Sequence, residues 1–182
     1  AYRHPAQGLD QGDPALDDGL ELDVEDPAGA PRFSLLAVRG VSVRPSPVWL
    51  QRALASLGLR PRNNLVDVTN YVTFELGQPS HAYDLAQLGG GVMQVRRARA
   101  GESLELLTEE RIELAPADLV IATPGADGSS VAIGLAGVMG GSTHSVSDAT
   151  TDVALEVAHF DPVTVRRAAQ RHKLITDART RF

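Results

Sequence analysis

The hydrophobic and polar positions of the chain alternate with a strand period in several short segments. Residues 33–43 are rich in aliphatic and β-branched side chains and predict a strand. After the glycine run at 89–91 the apolar runs become short and are separated by turn residues, which predicts a series of strands. These strands are expected at 92–98, 103–107, 111–114, 119–123, 131–135 and 152–158.

Apolar residues at helical spacing, bounded by cap and stop residues, predict three helices. Gly58 and Gly77 are the expected stops of the first two, because a helix commonly ends at a glycine with positive φ. The expected N-terminal signals are Ser46 as cap before Pro47, Asn63 and Asn64 for the second helix, and Asp161 as cap before Pro162.

Helices early and late, with strands between them, predict an α+β fold with a strand-rich mixed β core and flanking helices. Residues 1–23 are rich in Asp, Gly and Pro and have no clear apolar period, so we interpret them as an acidic linker or edge segment. Residues 24–182 are then expected to form a single domain, a size that can bury one core.

The charge of the chain is distributed unevenly. The formal net charge is -6, and the first thirty residues contain eight acidic residues against one arginine. The remaining residues are therefore close to neutral, with arginine as nearly all of their positive charge. Cysteine is absent, which excludes disulfides and thiolate chemistry. The absence of cysteine also fits the reducing cytoplasm, which is the expected location. No apolar run approaches the roughly 20 residues that span a bilayer, so a soluble chain is expected.

The residue types present limit the candidate chemistry. No two of the five histidines have the i, i+4 spacing of a zinc-binding helix, so no metal site is predicted. The glycine run at 89–91 is not followed by the Gly-Lys-Ser/Thr of a phosphate-binding loop, and the glycine run at 137–141 opens no obvious helix after a parallel strand. A Gly-x-Ser-x-Gly motif is also absent. Any hydrolysis would therefore use an activated water.

Two polar residues occur in unusual settings. His81 follows the predicted stop of the second helix in a segment interpreted as a fixed loop, where a near-neutral imidazole could position or deprotonate water. Glu156 lies inside an otherwise apolar strand. It either faces solvent or points inward, and inside the protein its carboxylate would require a partner such as a ligand hydroxyl.

Five segments occur together in the order and spacing of one family. The chain resembles the editing domain of the bacterial phenylalanyl-tRNA synthetase β subunit, from about residue 24 to the end, and so a fragment of a longer subunit is expected. The segments are Arg60-Pro61, residues 64–72, residues 75–84, residues 135–141, and Leu155-Glu156 with residues 160–162.

The resemblance implies hydrolysis of tyrosine from the tRNA that should carry phenylalanine, by a positioned water. It places the tyrosine hydroxyl at Glu156, and it places His81 and Asn70 near the ester as the catalytic pair. Further substrate contacts are implied for Gly137, Thr176, Ala178 and Arg60. Either His81 or the neighbouring ribose hydroxyl could orient the water.

The resemblance also implies partners. These are the 3′ end of tRNA(Phe) carrying tyrosine and a phenylalanyl-tRNA synthetase α subunit in an α2β2 assembly. ATP and Mg²⁺ are expected only for the whole enzyme, and no cofactor is expected in this domain. The alternative is a non-catalytic structural or tRNA-docking module. In that case, arginines would contact phosphates without chemistry. The candidates are Arg96, Arg97, Arg99, Arg166, Arg167 and Arg171.

Overall fold

A computed structural model describes residues 19–176, 178 and 181 of the chain. Three α-helices occur in this part: α1 (Val48–Ser56), α2 (Asn64–Leu76) and α3 (Pro162–Arg171). The strands are β1 (Glu21–Val24), β2 (Arg32–Val38), β3 (Ser80–Asp84), β4 (Val92–Arg97), β5 (Ser103–Glu105), β6 (Arg111–Glu113), β7 (Leu119–Pro124), β8 (Ser130–Leu135), β9 (Met139–Gly140) and β10 (Val153–His159).

The strands form two main sheets and a small hairpin. The larger sheet has the order β1-β4-β7-β8-β9, and the smaller one has β10 between β2 and β3. All pairings are antiparallel except β1 with β4. The β5–β6 hairpin is separate. The predicted α+β class is therefore confirmed.

The hydrophobic core lies between the two main sheets and α3. Strand β2 alternates exposed and partly buried residues, so the smaller sheet has one core face and one outer face. Phe160 directly follows β10 and packs edge-to-face on Phe33 of β2, with ring centroids 6.1 Å apart. On the helix side, Val165 and Ala169 of α3 join the same core.

The predicted end signals of α2 and α3 are confirmed. Asn63 accepts a hydrogen bond from the Val66 amide, and Gly77 closes α2 with a φ of 74°. Asp161 accepts one from the Thr164 amide at 2.7 Å, ahead of Pro162 at the first turn. Both ends depend on contacts within three or four residues, which is why the sequence predicts them.

The predicted cap of α1 is wrong. Pro47 occupies the N-cap position, and the Ser46 hydroxyl instead donates a 2.5 Å hydrogen bond to the buried carboxylate of Asp67 in α2. The same carboxylate accepts the Arg62 amide at 2.8 Å. A buried carboxylate requires such donors, and this requirement of the tertiary structure takes precedence over the local capping preference of serine.

The structure adds to the prediction for residues 1–23 and corrects the loop predicted around His81. Residues 1–18 of the expected linker lie outside the described part of the chain. Residues 21–23, assigned to the same segment, belong to the edge strand β1, because they pair with β4. The segment that contains His81 was interpreted as a loop but forms β3. It pairs with β10, whose partner residues are far away in sequence: Val157, for example, is 77 positions after Ser80 (157 − 80). Such a distant partner leaves little local signal.

No helix in the described part of the chain is long and apolar enough to cross a membrane.

Candidate active site

A cavity opens between the core face of the smaller sheet and the β8–β9 hairpin. Its volume is about 90 Å³, whereas one water needs roughly 10–15 Å³ by a comparable measure. The cavity therefore has room for a group of several atoms. Four predicted site residues line it: His81, Gly137, Glu156 and Ala178. The apolar part of the wall comes from Ile121, Leu135, Val138, Met139 and Phe160.

The register of the smaller sheet brings the two polar residues of the cavity together. Glu156 of β10 is paired directly with His81 of β3, and paired residues project from the same face of a sheet. Tyr83 lies two residues beyond His81 and therefore projects from that face as well. This face is the core face, because Tyr83 and Ala154 are core residues. The inward orientation of Glu156, which the sequence left open, is thereby established.

Glu156 is a buried carboxylate at the wall of the cavity. Only 8% of its surface is exposed, and its Oε2 atom accepts a 3.0 Å hydrogen bond from the Tyr83 hydroxyl. Burial raises the pKa of Glu156 to about 7, and the Tyr83 hydrogen bond partly opposes this rise. The carboxyl group therefore changes charge near neutral pH, where small changes in its surroundings alter its capacity to accept a hydrogen bond.

His81 lies beside Glu156 and carries an unpaired nitrogen. Its Nε2 atom is buried and has no hydrogen-bond partner among the described residues. Burial lowers the pKa of His81 to about 4, so the ring is neutral at physiological pH. A buried polar atom without a partner is uncommon and marks a place where a ligand or water can bind.

Gly140 of β9 makes the close approach of the His81 ring possible. A Cβ atom at position 140 would lie 2.6 Å from Cε1 and 2.7 Å from Nε2 of His81. These distances are shorter than any ordinary contact, so a side chain at this position would displace the ring. Gly140 was not predicted as a site residue. It belongs to the glycine run at 137–141, but its contact is with His81 in another strand, which the sequence alone does not reveal.

Gly137 lies in the turn between β8 and β9. The Val138 amide donates to the Leu135 carbonyl at 3.0 Å, which closes the turn. Gly137 is the third residue of this turn and has a φ of 69°, a conformation that favours glycine. Gly137 and Ala178, which follows α3, both line the cavity.

Three predicted site residues do not belong to the cavity wall. Asn70 is partly buried in the middle of α2, and Arg60 is exposed in the link between α1 and α2. Thr176, just after α3, is partly buried. The structure thus brings four of the seven predicted residues together, and the other three are not among the described residues that line the cavity.

Several arginines nominated for phosphate contact are engaged within the protein. Arg96 is 1% exposed and binds both carboxylate oxygens of Glu102, so its proposed phosphate contact is wrong. Arg97 pairs with Asp26 at 2.6 Å, and Arg171 pairs with the buried Asp118. Arg166 and Arg167 are exposed on α3. The basic surface available for a docking role is therefore smaller than the sequence suggests.

A second cavity, of about 250 Å³, lies beside the ends of β2 and β10, where Arg32 and His159 contribute to its wall. It contains none of the seven predicted site residues. Within the described part of the chain, no group of three His, Asp or Glu side chains could hold a metal ion. The first cavity, with its buried carboxylate and unpaired imidazole nitrogen, is the candidate site.

Comparison with known proteins places the domain in a family. A family model described as the B3/4 domain matches residues 29–182. The chain belongs to the B3/4 domain family. The phenylalanine–tRNA ligase beta subunit of Lactobacillus acidophilus is 45% identical over 174 residues, which are 96% of this chain and 21% of that protein. The corresponding subunit of Rhodopirellula baltica is 44% identical over 168 residues, 92% of this chain and 24% of that protein.

A solved structure resembles this B3/4 domain in fold. An N-terminal fragment of the phenylalanyl-tRNA synthetase beta-subunit from Pyrococcus horikoshii matches with a TM-score of 0.53 at 12% identity, covering 84% of this chain and 49% of that chain. The resemblance stated from the sequence is thus confirmed. The chain spans only about a fifth to a quarter of the length of these curated relatives.

Two residues of the B3/4 site were missed by the sequence analysis. Tyr83 was quoted only as part of a family segment, although its hydroxyl contacts Glu156. Gly140 was quoted only as part of the glycine run. Both act on a residue of another strand, so their roles depend on the strand pairing that the sequence did not predict.

Proposed function

We propose that this B3/4 domain edits misacylated tRNA by hydrolysing the ester of tyrosyl-tRNA(Phe) with a positioned water. The observation that carries the proposal is the buried Glu156 carboxylate on the wall of a cavity that His81 also lines. Similarity to phenylalanine–tRNA ligase beta subunits supports it. On this proposal the chain acts as part of such a ligase in the cytoplasm, with an α subunit in an α2β2 assembly.

Glu156 would select tyrosine through its phenol. A synthetic pocket built for phenylalanine rejects an added hydroxyl by only about a hundredfold, which makes a second site necessary. In that second site the phenol would donate to Glu156, whereas phenylalanine would leave the buried acceptor unsatisfied. Sites that hydrogen-bond a substrate hydroxyl reject the analogue that lacks it by about 10⁴-fold.

His81 would position the attacking water or the terminal ribose. Its pKa of about 4 makes the imidazole neutral at pH 7 but a weak base, and general bases work best when their pKa is near the operating pH. We therefore assign it orientation rather than full proton abstraction. Asn70, Thr176 and Arg60 would contact the tRNA end outside the cavity, and the reaction would need no cofactor in this domain.

The proposal is tested by deacylation of tyrosyl-tRNA(Phe) with the chain and with its His81→Ala and Glu156→Ala variants. We expect both substitutions to lower the rate at least tenfold, because one removes the water-positioning group and the other removes the phenol acceptor. His159→Ala and Glu113→Gln serve as controls, since both residues are exposed. Unchanged hydrolysis in either site variant would show that the site assignment is wrong.

The second candidate function, a docking module without chemistry, makes a different prediction. Binding of tRNA would then depend on Arg166 and Arg167 and fall steeply with salt, while the His81 and Glu156 variants would bind normally. The internal ion pairs of Arg96 and Arg97 leave fewer arginines for this role. We therefore rank it below ester hydrolysis.

A further inference from the structure

The hydroxyl of Tyr83 is a buried polar group that the proposed function does not use. Tyr83 is 2% exposed, and its hydroxyl donates to Oε2 of Glu156 at 3.0 Å. A buried phenol needs a hydrogen-bond partner, and in the described part of the chain this partner is Glu156. The wall of the cavity therefore already contains one phenol bound to the carboxylate that would select tyrosine.

The surroundings of Tyr83 fix the position of its hydroxyl. A Cβ atom on Gly134 would lie 3.1 Å from the Tyr83 oxygen, so the glycine of β8 leaves the space that the hydroxyl occupies. On the other side, the His81 ring contacts the Tyr83 ring edge-to-face, with centroids 4.5 Å apart. Gly134 of β8 and the His81 ring of β3 itself thus hold the phenol in the position from which it donates to Glu156.

The hydrogen bond has two consequences for Glu156. It fixes the plane of the carboxylate through Oε2, so the other oxygen, Oε1, is the acceptor that remains for a ligand. It also favours the ionised form, because a hydrogen bond to a charged carboxylate stabilises the charge against burial. Ionised carboxylate is the stronger acceptor for a phenol.

We propose that Tyr83 is a positioning residue for substrate selection, which holds Glu156 by one oxygen so that the other binds the hydroxyl of the substrate tyrosine. The carboxylate would then accept two phenols at once, one from the protein and one from the substrate. This inference rests on the proposed function, because it names how the same site distinguishes tyrosine from phenylalanine.

The test is the Tyr83→Phe substitution in the whole chain, which removes one oxygen atom and keeps the ring. Hydrolysis of tyrosyl-tRNA(Phe) and phenylalanyl-tRNA(Phe) is measured from pH 6 to pH 9. We expect the preference for tyrosine to fall about tenfold at pH 7, as for loss of a hydrogen bond to a charged group. The preference should recover in part at high pH, where Glu156 ionises even without the hydrogen bond from Tyr83. A purely structural role would instead lower both rates together.

Tyr71→Phe is the matched control, since Tyr71 lies in α2 and its ring contacts Trp49 away from the cavity. We expect this variant to keep the wild-type preference and pH profile. An unchanged preference in Tyr83→Phe, in a wild-type background that does discriminate, would overturn the inference.

A second measurement separates failure of this inference from failure of the proposed function. Carbon-13 NMR of the Glu156 carboxyl gives its pKa without any substrate, and the Tyr83→Phe variant should titrate at higher pH than the wild type. If the wild type hydrolyses neither ester, editing is wrong for this chain, and the titration still decides whether Tyr83 controls Glu156. An equal pKa in the two proteins would overturn the role of Tyr83.

Discussion

At the scale of single residues, the candidate site has two close contacts for which glycine leaves the space. Gly140 brings the backbone of β9 against the His81 ring, and Gly134 leaves space for the Tyr83 hydroxyl. Neither of these glycines has a positive φ, so the backbone itself would accept alanine at both positions. The neighbouring side chain opposes alanine instead, strongly at Gly140, where a Cβ atom would lie 2.6 Å from His81, and less at Gly134, where it would lie 3.1 Å from the Tyr83 oxygen. The Gly140 contact can therefore be tested by paired substitution.

The Gly140→Ala substitution is expected to destabilise the fold by about 1–3 kcal/mol, the range for overpacking a well-filled interior. The added methyl group would lie 2.6 Å from His81 Cε1 unless the ring moves. In a His81→Ala background the same substitution should cost under about 0.5 kcal/mol, because the clash is gone. Urea unfolding of the four proteins measures both costs. Equal costs in the two backgrounds would contradict the assigned contact.

At the scale of elements, β3 and β10 place two groups with opposite proton linkage next to each other. Glu156 has a pKa raised to about 7, so folded protein retains a proton that the unfolded chain loses, and stability falls as the pH rises toward 7. His81 has a pKa lowered to about 4, so stability falls as the pH drops from about 6.5 toward 4. In the wild type these two opposite dependences of stability on pH largely cancel between about pH 4.5 and pH 6.5.

Single substitutions should reveal each linkage. The free energy of unfolding of Glu156→Gln, minus that of the wild type, should rise by about 3 kcal/mol from pH 4.5 to pH 7. Only the wild type loses this stability, because the pKa of Glu156 is about 7 in the folded protein and 4.5 in the unfolded chain. The His81→Ala substitution should lower the free energy of unfolding less at pH 4 than at pH 7, because only the wild type contains the imidazole that the fold keeps uncharged at low pH. Unfolding curves at several pH values measure this. A difference between Glu156→Gln and wild type that is independent of pH, as expected for the exposed Glu113→Gln, would refute the linkage.

The elements also differ in how well the sequence predicts them. Asn63 and Asp161 cap helices α2 and α3 as predicted, because a cap and its amide partner lie within three residues. Strand β3 was not predicted, since its residues follow a proline and its stability comes from β10. Alternation in β10 identified two faces but could not show which one faces the core. The residues of the polar wall could therefore be assigned only from the strand register, and Tyr83 was missed for the same reason.

At the scale of the whole molecule, a charge cluster around one buried carboxylate connects α3 to the larger sheet. Asp118, directly before β7, is fully buried and binds the exposed Arg171 as well as His172, whose Nε2 lies 2.7 Å from its carboxylate. It also accepts the Ala115 amide at 2.8 Å. This cluster fixes the end of α3, and Ala178 of the cavity wall follows only a few residues later.

Replacing Asp118 by alanine is expected to lower the free energy of unfolding by about 1.5–3 kcal/mol, because it removes the hydrogen bonds of a buried carboxylate and leaves the buried His172 side chain without this partner, while the exposed Arg171 can be solvated by water. Denaturant unfolding followed by circular dichroism measures the loss. Asp148→Ala is the control, since Asp148 is exposed in the loop before β10, and it should change stability by less than about 0.5 kcal/mol. A similarly small effect for Asp118 would show that the cluster does not stabilise the domain.

The direct pairing of His81 with Glu156 also limits how the length of the chain can vary. A shift of β3 by one residue along β10 would turn His81 and Tyr83 to the outer face and bring Ala82 opposite Glu156. The cavity would then lose its imidazole and its phenol in one step, with every side chain unchanged. We therefore expect an insertion or deletion in the short link from Gly77 to Pro79 that shifts this register to remove the site, whereas a change of length in residues 39–47, between β2 and α1, does not act directly on β3.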